Sequence, residues 1–277
     1  MNRYSPEDYW QERIKKNFSL AGIGYLGLGL EYNKWAYKAR VRALSRLLKK
    51  YQINPYKKRI LDIGVGTGFY INYWNKLGAD FIVGLDITEK SISTLEKKFP
   101  QYKFVKADIS SDELNLERKF DIITAFDVLF HIVEEEKFEQ ALRNIREMSH
   151  KNTQILISDG FLKEYRSPRF HENYRTIDRY KTVLENNGLK CVTIVPVFYF
   201  MDNPIDKGVL KNDFIKILLP RIWFIITTII SLSNKKLGML GDIIGYLIGA
   251  ILFTIDGIIL RYVKEGPSTK LMLVEVR

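Results

Sequence analysis

Cysteine is almost absent from this 277-residue sequence, where Cys191 stands alone, so no internal disulfide can form and a reducing compartment is the expected setting. Histidine is scarce as well. His131, His150 and His171 show no ligand spacing with each other or with Cys191, which argues against a zinc or iron–sulfur site, and no metal is expected. The first twenty residues lack an apolar run: Arg3, Glu7, Asp8, Glu12, Arg13, Lys15 and Lys16 leave no space for the hydrophobic part of a secretory signal, so a cytoplasmic location is expected. No internal repeat or low-complexity stretch stands out, apart from one apolar region near the end.

What is present describes a foldable globular chain. Apolar residues make up 46% and charged residues 27%, and a chain of this size buries roughly three quarters of its unfolded surface without a disulfide or structural metal. The net charge of +11 is uneven. Residues 1–60 hold 14 Lys/Arg against 4 Asp/Glu, whereas residues 61–200 hold 19 against 21. The basic excess is N-terminal, and it suits either an anionic partner or a solvated helix face.

Ser5-Pro6-Glu7-Asp8 combines a cap residue, a proline at the first helical position and an acid three residues after the cap, predicting a helix to Lys16. Leu20–Leu30 carries four glycines among apolar residues and reads as a closely packed loop. From Tyr32 to Tyr51, Trp35, Val41, Leu44, Leu47 and Leu48 alternate at helical spacing with Lys38, Arg42, Arg46 and Lys49, giving an amphipathic helix with a basic face. After Asn54-Pro55 the pattern becomes short apolar runs, at Arg59–Ile63, Phe81–Leu85, Lys103–Val105, Phe120–Ala125 and Thr153–Ser158. Helical stretches at Tyr70–Leu77, Ser91–Phe99 and Glu134–Met148 separate them. A helix at Ile177–Asn186 and strands at Leu189–Val197 and Lys270–Val276 complete a seven-stranded, mostly parallel, doubly wound α/β sheet. Phe214–Leu232 and Leu237–Leu260 predict an inserted apolar helical hairpin, with Gly241, Gly245 and Gly249 lining one face so that a neighbouring helix can come close. The expected organisation is an N-terminal helical cap (1–54), a core (55–200), the hairpin (201–266) and a final core strand (267–277).

The residues that point to chemistry are Leu61-Asp62-Ile63-Gly64-Val65-Gly66-Thr67-Gly68, between a predicted strand and a predicted helix. Such glycines allow a tight turn and let backbone N–H groups approach a ligand. Asp86 ends the next strand, 22 residues after Gly64, where a carboxylate can accept from both hydroxyls of a ribose. Asp108 follows the third strand and is placed to accept from an adenine amine. The order Gly64-x-Gly66-x-Gly68 departs from the G-x-G-x-x-G of nicotinamide enzymes. Together with the segment Phe120–Ile132, these motifs resemble those of the class I S-adenosylmethionine (SAM)-dependent methyltransferases, over roughly Arg59–Val197 plus the last strand. The resemblance implies a Rossmann-like methyltransferase fold and SAM as cofactor. It also implies a binding set of Asp62, Gly64, Gly66, Gly68, Asp86, Ile87, Asp108, Ile109 and Asp127, with Asp86 on the ribose, Ile87 against the adenine, Asp108-Ile109 at its amine and Asp127 beside the transfer site.

Methyl transfer needs an aligned acceptor, water excluded, and a base only for weakly acidic acceptors. His131, just past the fourth strand, is the candidate catalytic base, with helix capping or packing as the alternative; Asp159, on the same rim, is the second catalytic candidate, with a turn role as its alternative. Arg166, Arg169, His171, Tyr174 and Arg175 form a loop suited to an anion or to solvent. Tyr9, Trp10, Tyr25, Tyr32 and Trp35 suit either a lid or a core. The hairpin suits a bilayer span, a monotopic anchor on the inner leaflet, or a soluble lid or dimer interface. Asp242 and Asp256 argue against the span. The expected function is methylation of a hydrophobic small molecule or lipid-like acceptor at an anionic membrane surface. The alternatives are an RNA or protein methyltransferase using the basic helix, and a non-catalytic membrane-associated scaffold. Nucleic acid is not the expected partner, and oligomeric state is left open.

Overall fold

The computed structural model describes residues 5–114, 116 and 119–277; Arg3, one of the charged N-terminal residues noted above, lies outside them. The chain opens with helix α1 (Pro6–Lys16), in which Ser5 Oγ accepts from the Asp8 N–H as a cap. The glycine-rich stretch expected as a loop is more ordered than that. It forms a short helix α2 (Leu20–Ile23) capped by Ser19, then a single 3-10 turn at Leu26–Leu28, and α3 begins at Gly29 and runs to Lys50. The buried Asn33 amide makes this possible: it accepts from the Tyr25 N–H and donates to the Tyr25 and Gly29 carbonyls, replacing partners that a loop would take from water.

The core then alternates β1 (Arg59–Ile63), α4 (Phe69–Lys76), β2 (Phe81–Asp86), α5 (Glu89–Lys98), β3 (Lys103–Lys106), β4 (Phe120–Phe126), α6 (Glu135–Glu147), β5 (Ser149–Asp159), α7 (Ile177–Asn186) and β6 (Leu189–Pro196). The hairpin helices α8 (Asp213–Lys236) and α9 (Met239–Ile259) follow, and β7 (Lys270–Val276) ends the chain. The sheet order is β3-β2-β1-β4-β5-β7-β6, parallel except for β7, which is antiparallel to both neighbours. This is the expected doubly wound seven-stranded fold. β5 starts four residues earlier than the apolar run suggests, because Thr153 Oγ1 bridges the His150 N–H and the Phe120 carbonyl across an irregularity in the β4–β5 register.

Two apolar layers cover the sheet. Ile71, Trp74, Ala36, Leu44 and Leu47 fill one face, and Phe138, Leu142, Ile145, Tyr180 and Leu184 the other. The hairpin joins the first layer through Ile230 and Leu252. Pro220 does not break α8, although it has no N–H for the Lys216 carbonyl. The small-residue face of α9 is used as expected. A Cβ on Gly249 would lie 2.8 Å from the Trp35 ring of α3, and one on Gly241 would lie 2.5 Å from the Ser233 carbonyl oxygen of α8.

Asp256 pins α9 to the core. It is fully buried and accepts from the backbone N–H groups of Tyr199 and Phe200 at 2.9 and 2.8 Å, and of Met201 at 3.3 Å. Asp256→Ala leaves those donors buried without partners, at a cost of about 3 kcal/mol. Thermal unfolding is expected to fall by roughly 6–12 °C; an unchanged midpoint would show that the hairpin is not anchored there.

Candidate active site

Strand order reverses between β1 and β4, and outside the carboxyl ends of β1, β2, β3 and β4 lies a cavity of about 320 Å³. Its first part is built by the turn after β1. Gly64, Gly66 and Gly68 have φ of 73°, 49° and 76°, where a side chain is strained. A Cβ on Gly64 would sit 2.3 Å from a Val128 methyl and one on Gly68 2.5 Å from a Leu95 methyl. Gly64 and Gly66 line the cavity; Gly68 lies behind it, capping α4 and packing on Leu95 and Phe99.

Asp86 stands at the end of β2, nearly buried and on the cavity wall. One carboxylate oxygen accepts from the Gly66 N–H at 2.8 Å, and the other from the Thr88 N–H at 2.9 Å and hydroxyl at 2.7 Å. Burial raises its pKa, and these donors oppose the rise. A carboxylate has about four acceptor directions, so room remains for a ligand hydroxyl. Asp108 Oδ1 accepts from the Ser110 N–H and hydroxyl, at 2.8 and 2.7 Å, and Asp108 also lines the cavity. Val65, Leu85, Ile87 and Ile109 supply apolar walls between these acids. Two acids on a rim and flat apolar walls fit a nucleoside.

Asp62, like Gly68, belongs to the expected binding set but is not on the wall. Its Oδ1 accepts from the Thr124 hydroxyl at 2.6 Å, its Oδ2 is buried without a partner, and burial pushes its carboxyl up to about 7, with the nearby Asp86 adding to the rise.

The second part of the cavity is made by β4 and the N-terminal helices. Asp127 follows β4 with φ 59°, a left-handed conformation that aspartate tolerates better than most residues. Its N–H donates to Ser158 Oγ at 2.8 Å, and its Oδ2 accepts from Arg40 Nε at the same distance. Arg40 comes from α3. Burial disfavours its charge, but Asp127, Tyr37 and Tyr70 hold its pKa above the ordinary value. The composition of α3 directed attention to its exposed lysines and arginines. Arg40 instead shares the buried stripe of Tyr37, Leu44 and Leu47, and a cation on an apolar stripe is the signal that would have found it. Tyr37, Phe69, Tyr70 and Phe126 complete an aromatic wall that the motifs alone did not reveal.

His131 lines the cavity. Its Nδ1 lies 2.8 Å from the His171 carbonyl oxygen, which can only accept, so Nδ1 carries the proton and Nε2 keeps a lone pair. The Trp10 ring meets His131 edge-on at 4.9 Å, and Tyr9 stacks on His171 at the same separation. Arg13 ties α1 to α2 by donating to the Gly22 and Gly24 carbonyls, and Glu7 pairs with Lys106 at 2.8 Å. The N-terminal aromatics therefore divide: Trp10 faces the cavity, whereas Tyr32 is core and Trp35 packs on α9.

Asp159 does not join the cavity. It is buried, Tyr180 Oη and the Gly160 N–H donate to it, and burial raises its carboxyl to about 7, so its place is inside the fold behind the rim. Arg175 is likewise internal, donating to Glu135 and to the Ile132 carbonyl with its guanidinium over the Phe138 ring, and this leaves it engaged rather than open to an anion.

Burial lowers His131 to about 4, from an ordinary value near 6.5, although the His171 carbonyl favours the proton. The unfolded chain therefore takes up this proton at a higher pH than the folded one. The stability contributed is full above pH 6.5 and is lost as the pH falls towards 4. Relative to the parent protein, His131→Gln is expected to be more favourable by denaturant unfolding at pH 4.5 than at pH 7, and a pH-independent difference would contradict this assignment.

Comparison with known proteins agrees with the geometry. Residues 60–152 match the methyltransferase domain family. The mRNA cap guanine-N(7) methyltransferase of Schizosaccharomyces pombe is 26% identical over 126 residues, covering 41% of this chain and 34% of that protein. The tRNA U34 carboxymethyltransferase of Dichelobacter nodosus is 33% identical over 90 residues, 31% of this chain and 28% of that protein. The chain thus matches only about a third of the length of these curated relatives. Among solved structures, magnesium protoporphyrin IX methyltransferase from Synechocystis with bound SAM superimposes with a TM-score of 0.52 at 16% identity, over 70% of this chain and 91% of that one. A DhpI–SAH complex gives 0.53 at 19%, over 69% and 89%. These two similarities show the fold. With the match over residues 60–152, the glycine turn and the two rim acids, the core of this chain is similar to methyltransferase domains and has the fold of solved SAM- and SAH-bound methyltransferases.

Proposed function

We propose that this protein methylates a hydrophobic small molecule or lipid-like acceptor at a membrane surface. The observation that carries this reading is the transfer end of the cavity, walled by Trp10, Ile14, Tyr37, Phe69, Tyr70 and Phe126, with Asp127 and His131 as its polar groups. Such a chamber excludes water and offers an apolar acceptor a dry seat. α8 and α9 are each long and apolar enough to cross a membrane, and the proposal uses them as the contact with one. The residue ranges follow this division of labour: 1–54 closes the site, 55–200 with 267–277 holds the cofactor, and 201–266 meets the membrane.

The cofactor's sulfonium supplies a methyl carbon already activated for displacement. The chain's own residues then have modest tasks. Gly64 and Gly66 would let the backbone come close to the cofactor, Asp86 would accept from the ribose, Ile87 would pack on the adenine, and Asp108-Ile109 would meet its amine. Asp62 ties β1 to β4 through Thr124, and Gly68 starts α4. Asp127, fixed by Arg40 and Ser158, borders the transfer site. His131 Nε2 takes the acceptor proton when the acceptor is a hydroxyl.

RNA methylation is the second reading, favoured by the RNA-directed names of the two curated relatives and by the basic excess in residues 1–60. Transfer of label from methyl-tritiated SAM separates the two. Radioactivity is expected in the organic-solvent extract of membranes rather than in total RNA, with His131→Gln slowing a hydroxyl acceptor about 100-fold. Label confined to RNA would overturn the apolar-acceptor reading.

A further inference from the structure

The apolar residues of α8 and α9 fall into two sets. One faces inward, where Gly245, Gly249 and Leu252 pack on α3 and α8. The other faces outward. Phe224 is 69% exposed, Met239 79% and Leu247 53%, and only 11% of the apolar window of α8 and 28% of that of α9 is buried. Core helices of a soluble domain are not left so open. The patch extends onto Leu26 and Leu30, which are exposed beside α8: Tyr25 packs edge-on against Trp223 at 5.5 Å, and Asn234 Nδ2 donates to the Gly27 carbonyl.

We infer that this outward face lies flat in the surface of an anionic bilayer, as a monotopic hairpin that does not cross it. α9 runs alongside α3 rather than away from the core: Gly245 meets the Leu28 and Tyr32 backbone, Gly249 meets Trp35, and Gly257 meets the Arg42 guanidinium. Standing the hairpin upright in hydrocarbon carries Lys34, Lys38, Arg42 and Arg46 in with it, or tears α9 from α3 and Asp256 from its three N–H donors. Lying flat costs neither.

The charges around the face choose the occupant. Lys211, Arg221, Lys235, Lys236, Arg261 and Lys264 are exposed on and around the hairpin, against exposed Asp213, Asp242 and Glu265. Anionic head groups complement that excess. A second copy docked on the same patch about a twofold axis sets one net-positive rim against another.

This deepens the proposed function by naming the surface from which an apolar acceptor comes. Ile23, on the cavity wall, is three residues from Leu26 on the outward face, so one short glycine-rich turn separates bilayer from site.

The test uses the purified full chain and preformed vesicles. The protein is expected to sediment with phosphatidylglycerol vesicles and about tenfold less with phosphatidylcholine. The double variant Phe224→Asp with Leu247→Asp is expected to lose binding about tenfold while keeping affinity for S-adenosylhomocysteine. For orientation, Lys236→Cys in a Cys191→Ser background should react with an impermeant maleimide before the vesicles are lysed. Reaction only after lysis shows a spanning hairpin and overturns the inference. So does vesicle binding unchanged in the double variant, or a soluble dimer that Phe224→Asp dissociates. Failure of cofactor binding falls on the proposed reaction, whereas failure of vesicle binding falls on this surface alone.

Discussion

Asp86 carries its carboxylate nearly out of contact with water, and it can do so because the Gly66 and Thr88 N–H groups and the Thr88 hydroxyl converge on it. That contact joins the turn after β1 to the end of β2. The rest of the cofactor end depends on it. With Gly66 drawn to Asp86, Gly64 is brought beneath Val128 in a conformation only glycine adopts easily, and α4 starts from Gly68 in the space left by Leu95. The acid therefore shapes its own pocket before any ligand arrives.

α3 serves two neighbours at once. Through Arg40 it fixes Asp127 on the cavity wall, and through Trp35 and Arg42 it receives the glycine face of α9. The segment from Phe198 to Asp202 closes the same circuit. Phe198 lies under the Arg40 guanidinium at 4.8 Å, Tyr199 to Met201 donate to Asp256, and Asp202 accepts from Tyr25 Oη. The hairpin is thus tied to the elements that carry the site, through α3 and the Phe198–Asp202 segment, without lining the cavity itself.

Much of this was legible in the sequence. The alternation of five-residue apolar runs with helical stretches specified a parallel doubly wound sheet, since strands buried on both faces have nowhere polar to alternate. Glycines and acids at strand ends were legible because their spacing follows directly from one βαβ unit. Asp159 misled, because the same rim position is open at Asp127 and closed at Asp159, and only Tyr180, a helix away, decides which. Arg40 was hidden for the opposite reason. In a helix rich in cations, one turned toward the cavity has no local mark except its place on the apolar stripe. Gly68 belongs to the motif, yet its reason is packing against Leu95, a contact made by the following unit.

The central claim is that Asp86 and the glycine turn form a SAM site, and calorimetric titration of the detergent-purified protein with S-adenosylhomocysteine tests it most directly. The account predicts binding at about micromolar affinity, near −8 kcal/mol, that Asp86→Ala abolishes in a correctly folded variant. Absence of binding in the folded parent protein, or equal binding in the variant, would contradict it.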